Sequence, residues 1–213
     1  MKLCYVTDRR GLPGPASDRI RSVVERIVEA AAAGVDWIQV REKDLTAREL
    51  ADLVGAALGR LPASSVLLVN DRVDIALAAG AGGVHLGEHS LAVGDVKRLL
   101  AARGLGERFQ VGVSTHSLPS ALAAQDAGAD YLFFGPVFPT PSKAAYGAPQ
   151  GVERLREVCR RVPLPVLAIG GITAENARSC LSQGAAGIAA IRLFQEAPNL
   201  TALVRQLKDS ESS

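Results

Sequence analysis

The sequence predicts a closed barrel of eight parallel strands, each followed by a helix: a single (β/α)8 domain of the TIM-barrel class. Three observations lead there. Short apolar runs alternate with longer Ala/Leu/Val-rich segments of helical period along the whole chain of 213 residues. Helix-to-strand links are short, as in Ala33-Gly34-Val35-Asp36, which suits parallel strands joined by crossovers. Runs such as Val66-Leu67-Leu68-Val69 are continuously apolar, the pattern of strands covered on both faces. Eight such units fit one closed barrel, somewhat below the usual size of ~250 residues. An open doubly wound sheet is the alternative, and the lack of G-x-G-x-x-G after the first strand argues against it.

The elements follow in order. Leu3–Thr7 is the first strand, the Gly/Pro-rich Gly11–Pro15 a loop, and Asp18 to about Ala33 a helix. Trp37–Arg41 is the second strand. Its helix runs from Thr46 to about Gly59, and Thr46 and Glu49 stand at capping-box spacing. Val66–Asn70 is the third strand, with the short helix Val73–Ala79 stopped by Gly80. Gly83–Leu86 and the helix Val93–Arg103 form the fourth unit, and Gln110–Ser114 and Leu118–Ala127 the fifth. Tyr131–Gly135 is followed by a long Pro-rich loop, Pro136–Pro149, and the helix Val152–Arg161. Pro165–Ile169 precedes the helix Ala174–Gln183, and Gly187–Ile191 the helix Leu200–Lys208. Asp209–Ser213 is a polar tail. The G-x-D-like turns at Ala33–Trp37, Gly80–Val84, Gly128–Tyr131 and Gly184–Ile188 recur because the βα unit recurs.

Composition narrows the class. Apolar residues make up 48% of the chain, enough for one sizeable core. Lys and Arg number 24 against 22 acidic residues, and no basic run occurs, so nucleic acid is not an expected partner. Cys4, Cys159 and Cys180 are far apart and lack C-x-x-C spacing, which points to buried thiols in a reducing compartment. No signal peptide precedes Leu3, and no apolar run is long enough for a bilayer. A cytoplasmic, membrane-free protein is the expectation. The oligomeric state stays open, a homo-oligomer included.

In such barrels chemistry sits where the strands end. At the second strand, Gln39, Arg41 and Lys43 share one face, with Ile38 and Val40 on the other. Burying two unpartnered cations would cost on the order of several kcal/mol, so an anion such as a diphosphate is expected opposite them. The alternative is that Glu42 or Asp44 folds back onto them. Asn70-Asp71 ends the third strand and suits Mg²⁺, which takes carboxylate and phosphate oxygens; taken alone, Asp71 fits a cap on the next helix better. His85 and His89 lie in a strand and loop, unlike a zinc pair. His116, near Ser114, is a general acid or base or else a helix cap. Gly170-Gly171 and Ile191-Arg192 end the last two strands, where this fold often binds phosphate. The Thr173 region would open a helix toward it.

Tyr5-Val6-Thr7-Asp8, Gln39-Val40-Arg41-Glu42-Lys43, Asn70-Asp71, Gly83-Val84-His85-Leu86-Gly87, Gly112-Val113-Ser114, Gly135-Pro136-Val137-Phe138-Pro139-Thr140, Lys143 and Ile169-Gly170-Gly171-Ile172 together resemble the thiamine phosphate synthase superfamily, which also contains TenI-type thiazole tautomerases. The resemblance spans Leu3 to about Phe194. It implies a (β/α)8 barrel joining hydroxymethylpyrimidine diphosphate to a thiazole phosphate with loss of diphosphate. It further implies that Arg41, Lys43 and Lys143 hold the diphosphate with Mg²⁺. Gln39, Asn70 and Ser114 would orient the pyrimidine and phosphate oxygens. Thr140, Ser142, Gly171 and the Ile191-Arg192 backbone would bind the thiazole phosphate.

Two positions depart from that pattern. Synthases usually carry H-x-G-Q-x-D after the fourth strand; here Glu88 replaces the glutamine and Ser90 the second metal-binding aspartate. The expectation is that Glu88 joins Asp71 as metal ligand. Arg192 stands where synthases usually have serine, and adds a cation to the phosphate site or points outward. A tautomerase would use His116 as proton shuttle without metal, yet has no diphosphate for Gln39, Lys43, Asp71 and Lys143 to serve. A third alternative is a non-catalytic binder or regulator that kept the barrel. The Pro136–Pro149 loop reads as a lid over the ligand.

Overall fold

The computed structural model of the protein describes residues 1–87, 89–140 and 148–209. Its strands are β1 (Lys2–Val6), β2 (Trp37–Val40), β3 (Val66–Asn70), β4 (Gly83–Leu86), β5 (Gln110–Thr115), β6 (Tyr131–Phe134), β7 (Val166–Ile169) and β8 (Gly187–Ala190). All neighbours pair in parallel, and β8 returns to β1, so the sheet is a closed barrel. The helices are α1 (Arg19–Ala32), α2 (Ala47–Leu58), α3 (Val73–Ala79), α4 (Val93–Ala102), α5 (Leu118–Asp126), α6 (Gly151–Arg161), α7 (Ala177–Leu181), α8 (Arg192–Gln195) and α9 (Leu200–Asp209). The expected architecture is present, and among the described residues no helix is long and apolar enough to cross a membrane.

The local signals act as their chemistry dictates. Thr46 and Glu49 form a reciprocal capping box at the head of α2. In the recurrent turns, Gly34, Gly80, Gly128 and Gly184 all take positive φ, which lets the chain leave each helix sharply. The aspartate that follows then ties the next strand to its neighbour: Asp36 accepts the Leu3 N–H at 2.9 Å, and Asp130 the Val111 N–H at 2.6 Å.

Two regions differ from expectation. The helix expected over 174–183 is only Ala177–Leu181. Residues 173–176 are diverted by reciprocal side-chain bonds, in which Asn176 Oδ1 accepts the Thr173 N–H and Thr173 Oγ1 the Asn176 N–H. The Thr173 region therefore opens a turn, and no helix points from it toward the barrel mouth. The short helix α8 was not expected. Tertiary contacts hold it: Phe194 and Gln195 are buried, and the Arg26 guanidinium satisfies the Phe194 and Ala197 carbonyls at 2.6 Å. Asp209, assigned to the tail, closes α9. Residues 210–213 and the centre of the Pro136–Pro149 loop, including any lid, lie outside the described residues.

Apolar side chains fall into two layers. One lies between sheet and helices; the other fills the barrel with Cys4, Val6, Trp37, Leu68, Tyr131, Phe133, Leu167 and Ala189. The barrel is too narrow for a side chain at every inward position. A Cβ on Gly112 would stand 1.9 Å from Tyr131 Cζ. Inside, Trp37 packs on Tyr131 with centroids 4.6 Å apart, and the His85 ring lies 4.1 Å from Phe133. His85 is buried, with Nδ1 3.1 Å from the Tyr131 hydroxyl and Nε2 2.8 Å from Ser114 Oγ. Loss of solvation pushes its pKa down to about 3, so the ring is neutral.

Two predictions follow from this interior. Gly112→Ala should lower the urea midpoint by an amount equivalent to about 2–4 kcal/mol, because either Tyr131 or two strands must move; an unchanged midpoint would show that the ring yields freely. The unfolded chain protonates His85 near pH 6.5, the folded chain only near pH 3. Its contribution to stability is therefore complete above about pH 6.5 and lost as pH falls toward 3, by up to about 1.4 kcal/mol per pH unit. Urea unfolding between pH 7 and pH 4 should show a shallower slope for His85→Gln than for the wild type, and identical slopes would contradict the assignment.

Candidate active site

The carboxyl ends of β2 and β3 are joined by a polar chain. Gln39 is buried and donates from Nε2 to Asn70 Oδ1 at 2.9 Å. Asn70 donates from Nδ2 to Asp71 Oδ2 at 2.6 Å. Asp71 has φ of 61°, alone among the described non-glycine residues in the left-handed region. That conformation costs on the order of 1 kcal/mol or more and is characteristic of functional positions. Its backbone N–H is held by the His85 carbonyl at 2.9 Å, and its Oδ1 faces the β4 loop, accepting from the Gly87 N–H at 3.2 Å and from the Ser90 hydroxyl. The start of α3 carries no side-chain cap, so the capping role open to Asp71 in the sequence is not the one it takes. Ser90 occupies a place beside this carboxylate. Glu88 lies outside the described residues. Among those described, no cluster of three or more His, Cys, Asp or Glu side chains is arranged to hold a metal.

The segment after β2 corrects a simple alternation. The strand ends at Val40, and Lys43 and Asp44 form a turn, so Gln39, Arg41 and Lys43 do not continue one strand face. Gln39 points into the barrel, Arg41 is half-buried at the rim, and Lys43 is exposed. Neither acidic neighbour folds back onto these cations. Glu42 is buried, and its carboxylate accepts from the Thr7 hydroxyl at 2.6 Å and from the Arg9 backbone N–H at 3.0 Å. Asp44 receives both arms of the Arg9 guanidinium, at 2.6 and 2.7 Å, which holds its carboxyl well below the usual range. Among the described residues, Arg41 and Lys43 therefore have no carboxylate partner. Thr7 also accepts the Arg41 backbone N–H at 3.0 Å, fixing where the cationic residue leaves the strand.

At β5, Ser114 turns inward and is held by His85. His116 is half-buried at the rim, and its Nδ1 lies against the Gly135 carbonyl. A carbonyl only accepts, so Nδ1 carries a proton and donates it. Ser117 and Ser120 cap α5 reciprocally, so His116 is not the cap. Thr140 lies at the end of the described part of the β6 loop, and Ser142 and Lys143 lie outside the described residues.

The β7 and β8 ends complete the rim. Gly170 and Gly171 both have positive φ, and the β6 loop packs against them: a Cβ on Gly170 would stand 2.5 Å from Pro136, and one on Gly171 2.5 Å from the Pro139 carbonyl. The paired glycines thus answer two demands, the turn and the close approach of Pro136–Pro139. The second was invisible in the sequence. Among the described residues, the N–H groups of Gly171, Ile191 and Arg192 meet no acceptor, which leaves them available to an anion. The Arg192 side chain is exposed and borders a surface cleft with Leu193, Glu196 and Ala202, on the α8–α9 side.

The barrel thus brings Gln39, Arg41, Asn70, Asp71, Ser114, His116, Gly171 and Ile191 to one end. Two residues that hold this end of the barrel in place had no role assigned from the sequence. His85 could have been found, because a histidine inside Gly83-Val84-His85-Leu86 needs a buried partner. Arg9 could not, since its partners lie 33 and 35 residues away.

With this geometry in hand, comparison with known proteins is informative. Residues 6–194 match the family model described as thiamine monophosphate synthase. The chain is 41% identical to the thiamine-phosphate synthase of Methanoculleus marisnigri over 184 residues, which is 84% of this chain and 83% of that protein. It is 40% identical to the thiamine-phosphate synthase of Roseiflexus sp. (strain RS-1) over 203 residues, 95% of this chain and 81% of that one. Among solved structures it superposes on thiamine phosphate pyrophosphorylase from Pyrococcus furiosus with a TM-score of 0.83 and 34% identity, covering 99% of this chain and 95% of the other. A match across nearly the whole barrel, strand ends included, places the chain in the thiamine monophosphate synthase family.

Proposed function

We propose that the chain couples hydroxymethylpyrimidine diphosphate to a thiazole phosphate and releases diphosphate. The observation that carries this reading is Arg41, half-buried at the barrel rim, with Lys43 exposed in the turn that follows, both left without a carboxylate among the described residues although Glu42 and Asp44 are their chain neighbours. Cations so arranged await an anion. The N–H groups of Gly171, Ile191 and Arg192, which meet no acceptor among the described residues, supply a second anion site on the same rim, suited to the thiazole phosphate. Two anionic substrates and two anion sites fit a coupling enzyme better than a ring tautomerase.

The chemistry asks little of a base. The carbon–oxygen bond between pyrimidine methylene and diphosphate breaks, and its electron pair leaves on oxygen. The thiazole nitrogen lone pair then closes on the resulting carbocation. Arg41 and Lys43 stabilise the charge that grows on the leaving group, joined by Lys143 from the β6 loop. Gln39, Asn70 and Ser114 orient the pyrimidine, and the polar chain Gln39–Asn70–Asp71 keeps their dipoles fixed before substrate arrives. Ser114 is in turn oriented by His85. Thr140 and Ser142 complete the thiazole phosphate site with Gly171.

Asp71 fits Mg²⁺ in donor chemistry, a hard carboxylate beside the Ser90 hydroxyl, and Glu88 is the proposed second carboxylate. Bound there, the ion would neutralise diphosphate oxygens. The cysteines Cys4, Cys159 and Cys180 are free thiols, which supports a reading as a cytoplasmic enzyme.

Purified protein mixed with both substrates and Mg²⁺ should yield coupled product and one diphosphate per turnover. Ring isomerisation alone, without metal, would identify a tautomerase instead, and tight binding without turnover a regulator. Arg41→Ala should lower kcat/KM for the pyrimidine diphosphate by about 10²–10³-fold, with an unchanged melting temperature. Asp71→Asn should raise the Mg²⁺ concentration needed for half-maximal rate, and an unaltered requirement would remove Asp71 from the metal site.

A further inference from the structure

Building on the reading of the β2 end as a diphosphate site, we propose that Arg9 is a positioning residue of that site: it claims the carboxylates of Arg41-Glu42-Lys43-Asp44 and so leaves the two cations free for the anion. The segment alternates in charge. Without an external partner its four side chains neutralise one another, and an incoming diphosphate would have to displace an internal carboxylate.

The β1 loop prevents this. The Arg9 side chain is 14% exposed, and its guanidinium grips Asp44 with two bonds at 2.6 and 2.7 Å while Nη1 also reaches Glu42 at 3.1 Å. The two carboxylates are held differently. Glu42 keeps the Thr7 hydroxyl and the Arg9 backbone N–H whatever side chain stands at position 9. Asp44 has no tie to the β1 loop other than guanidinium groups among the described residues: Arg9, and the largely exposed Arg10 at 3.0 Å. Removing the Arg9 side chain therefore leaves Asp44 held only by the largely exposed Arg10, next to Lys43 and three residues from Arg41. Arg9 need not touch the substrate. Its effect passes through the carboxylate it restrains.

The arrangement yields a rescue test. Binding of inorganic pyrophosphate at fixed Mg²⁺ is measured by calorimetry for the wild type, Arg9→Met, Asp44→Asn and the double variant. Arg9→Met should weaken binding about tenfold, an energy of about 1.4 kcal/mol. Asp44→Asn alone should stay within about twofold of the wild type. The double variant should return to within about threefold, and KM for the pyrimidine diphosphate should follow the same order with kcat little changed. A double variant as weak as Arg9→Met would show that Arg9 binds the anion itself or merely supports the loop, and either result overturns the proposal, as does an unaffected Arg9→Met. Should Arg9→Met fail to fold, Arg9→Lys, which cannot fork onto Asp44, should lose about threefold and be rescued in the same way. Arg41→Ala serves as control: if it binds pyrophosphate like the wild type, the diphosphate site itself is misplaced, a failure distinct from that of the Arg9 proposal.

Discussion

Closing eight parallel strands into one ring is the constraint on which everything else in this protein depends. Closure leaves an interior so narrow that inward positions must alternate between large and absent side chains. Tyr131 occupies the room that a Cβ on Gly112 would need, and the Lys2 backbone crowds Gly187 in the same manner. The outcome is a plug of Trp37, Tyr131, His85 and Phe133 through the middle of the barrel. It supports the catalytic end from beneath. A substrate can therefore rest only on the rim, where strands stop and loops begin.

The rim is polar in a graded way. At its floor His85 is buried and neutral, and uses both ring nitrogens to hold Tyr131 and Ser114. One level up, Gln39, Asn70 and Asp71 form a relay of donors and acceptors that leaves no side chain free to rotate. At the top stand the cations. Buried polar groups are costly unless satisfied, and His85, Ser114, Gln39 and Asn70 each have a hydrogen-bond partner. This order is a form of preorganisation: dipoles are aimed before the ligand arrives, and little has to move when diphosphate departs.

Charge separation at the β2 end follows a similar logic. Glu42 and Asp44 could have cancelled Arg41 and Lys43 locally. Instead they serve the β1 loop, where Thr7 and Arg9 bind them. One network thus fastens β1 to β2 and, by removing the local counter-ions, leaves positive charge at the mouth. Ser90 expresses a different compromise. Its hydroxyl supports the Asp71 carboxylate without adding charge.

The sequence by itself determined the number and order of strands, the capping box at Thr46, the turn at each repeated glycine, and that Gln39, Arg41, Asn70, Asp71, Ser114, His116 and Gly171 stand at the strand ends. These properties are local or periodic: apolar alternation, caps and positive-φ glycines act within a few residues, and eight βα units leave few other ways to fold. Only the tertiary structure decided which carboxylate goes with which cation, that Asp71 faces Ser90 and not α3, that α8 forms at all, and that Gly170-Gly171 must admit the β6 loop. Each of these depends on groups distant along the chain, Arg9 with Asp44 or Arg26 with Phe194, brought together by closure of the ring. A charge written in the sequence says what it can bind; its surroundings in the fold decide whether it is already bound.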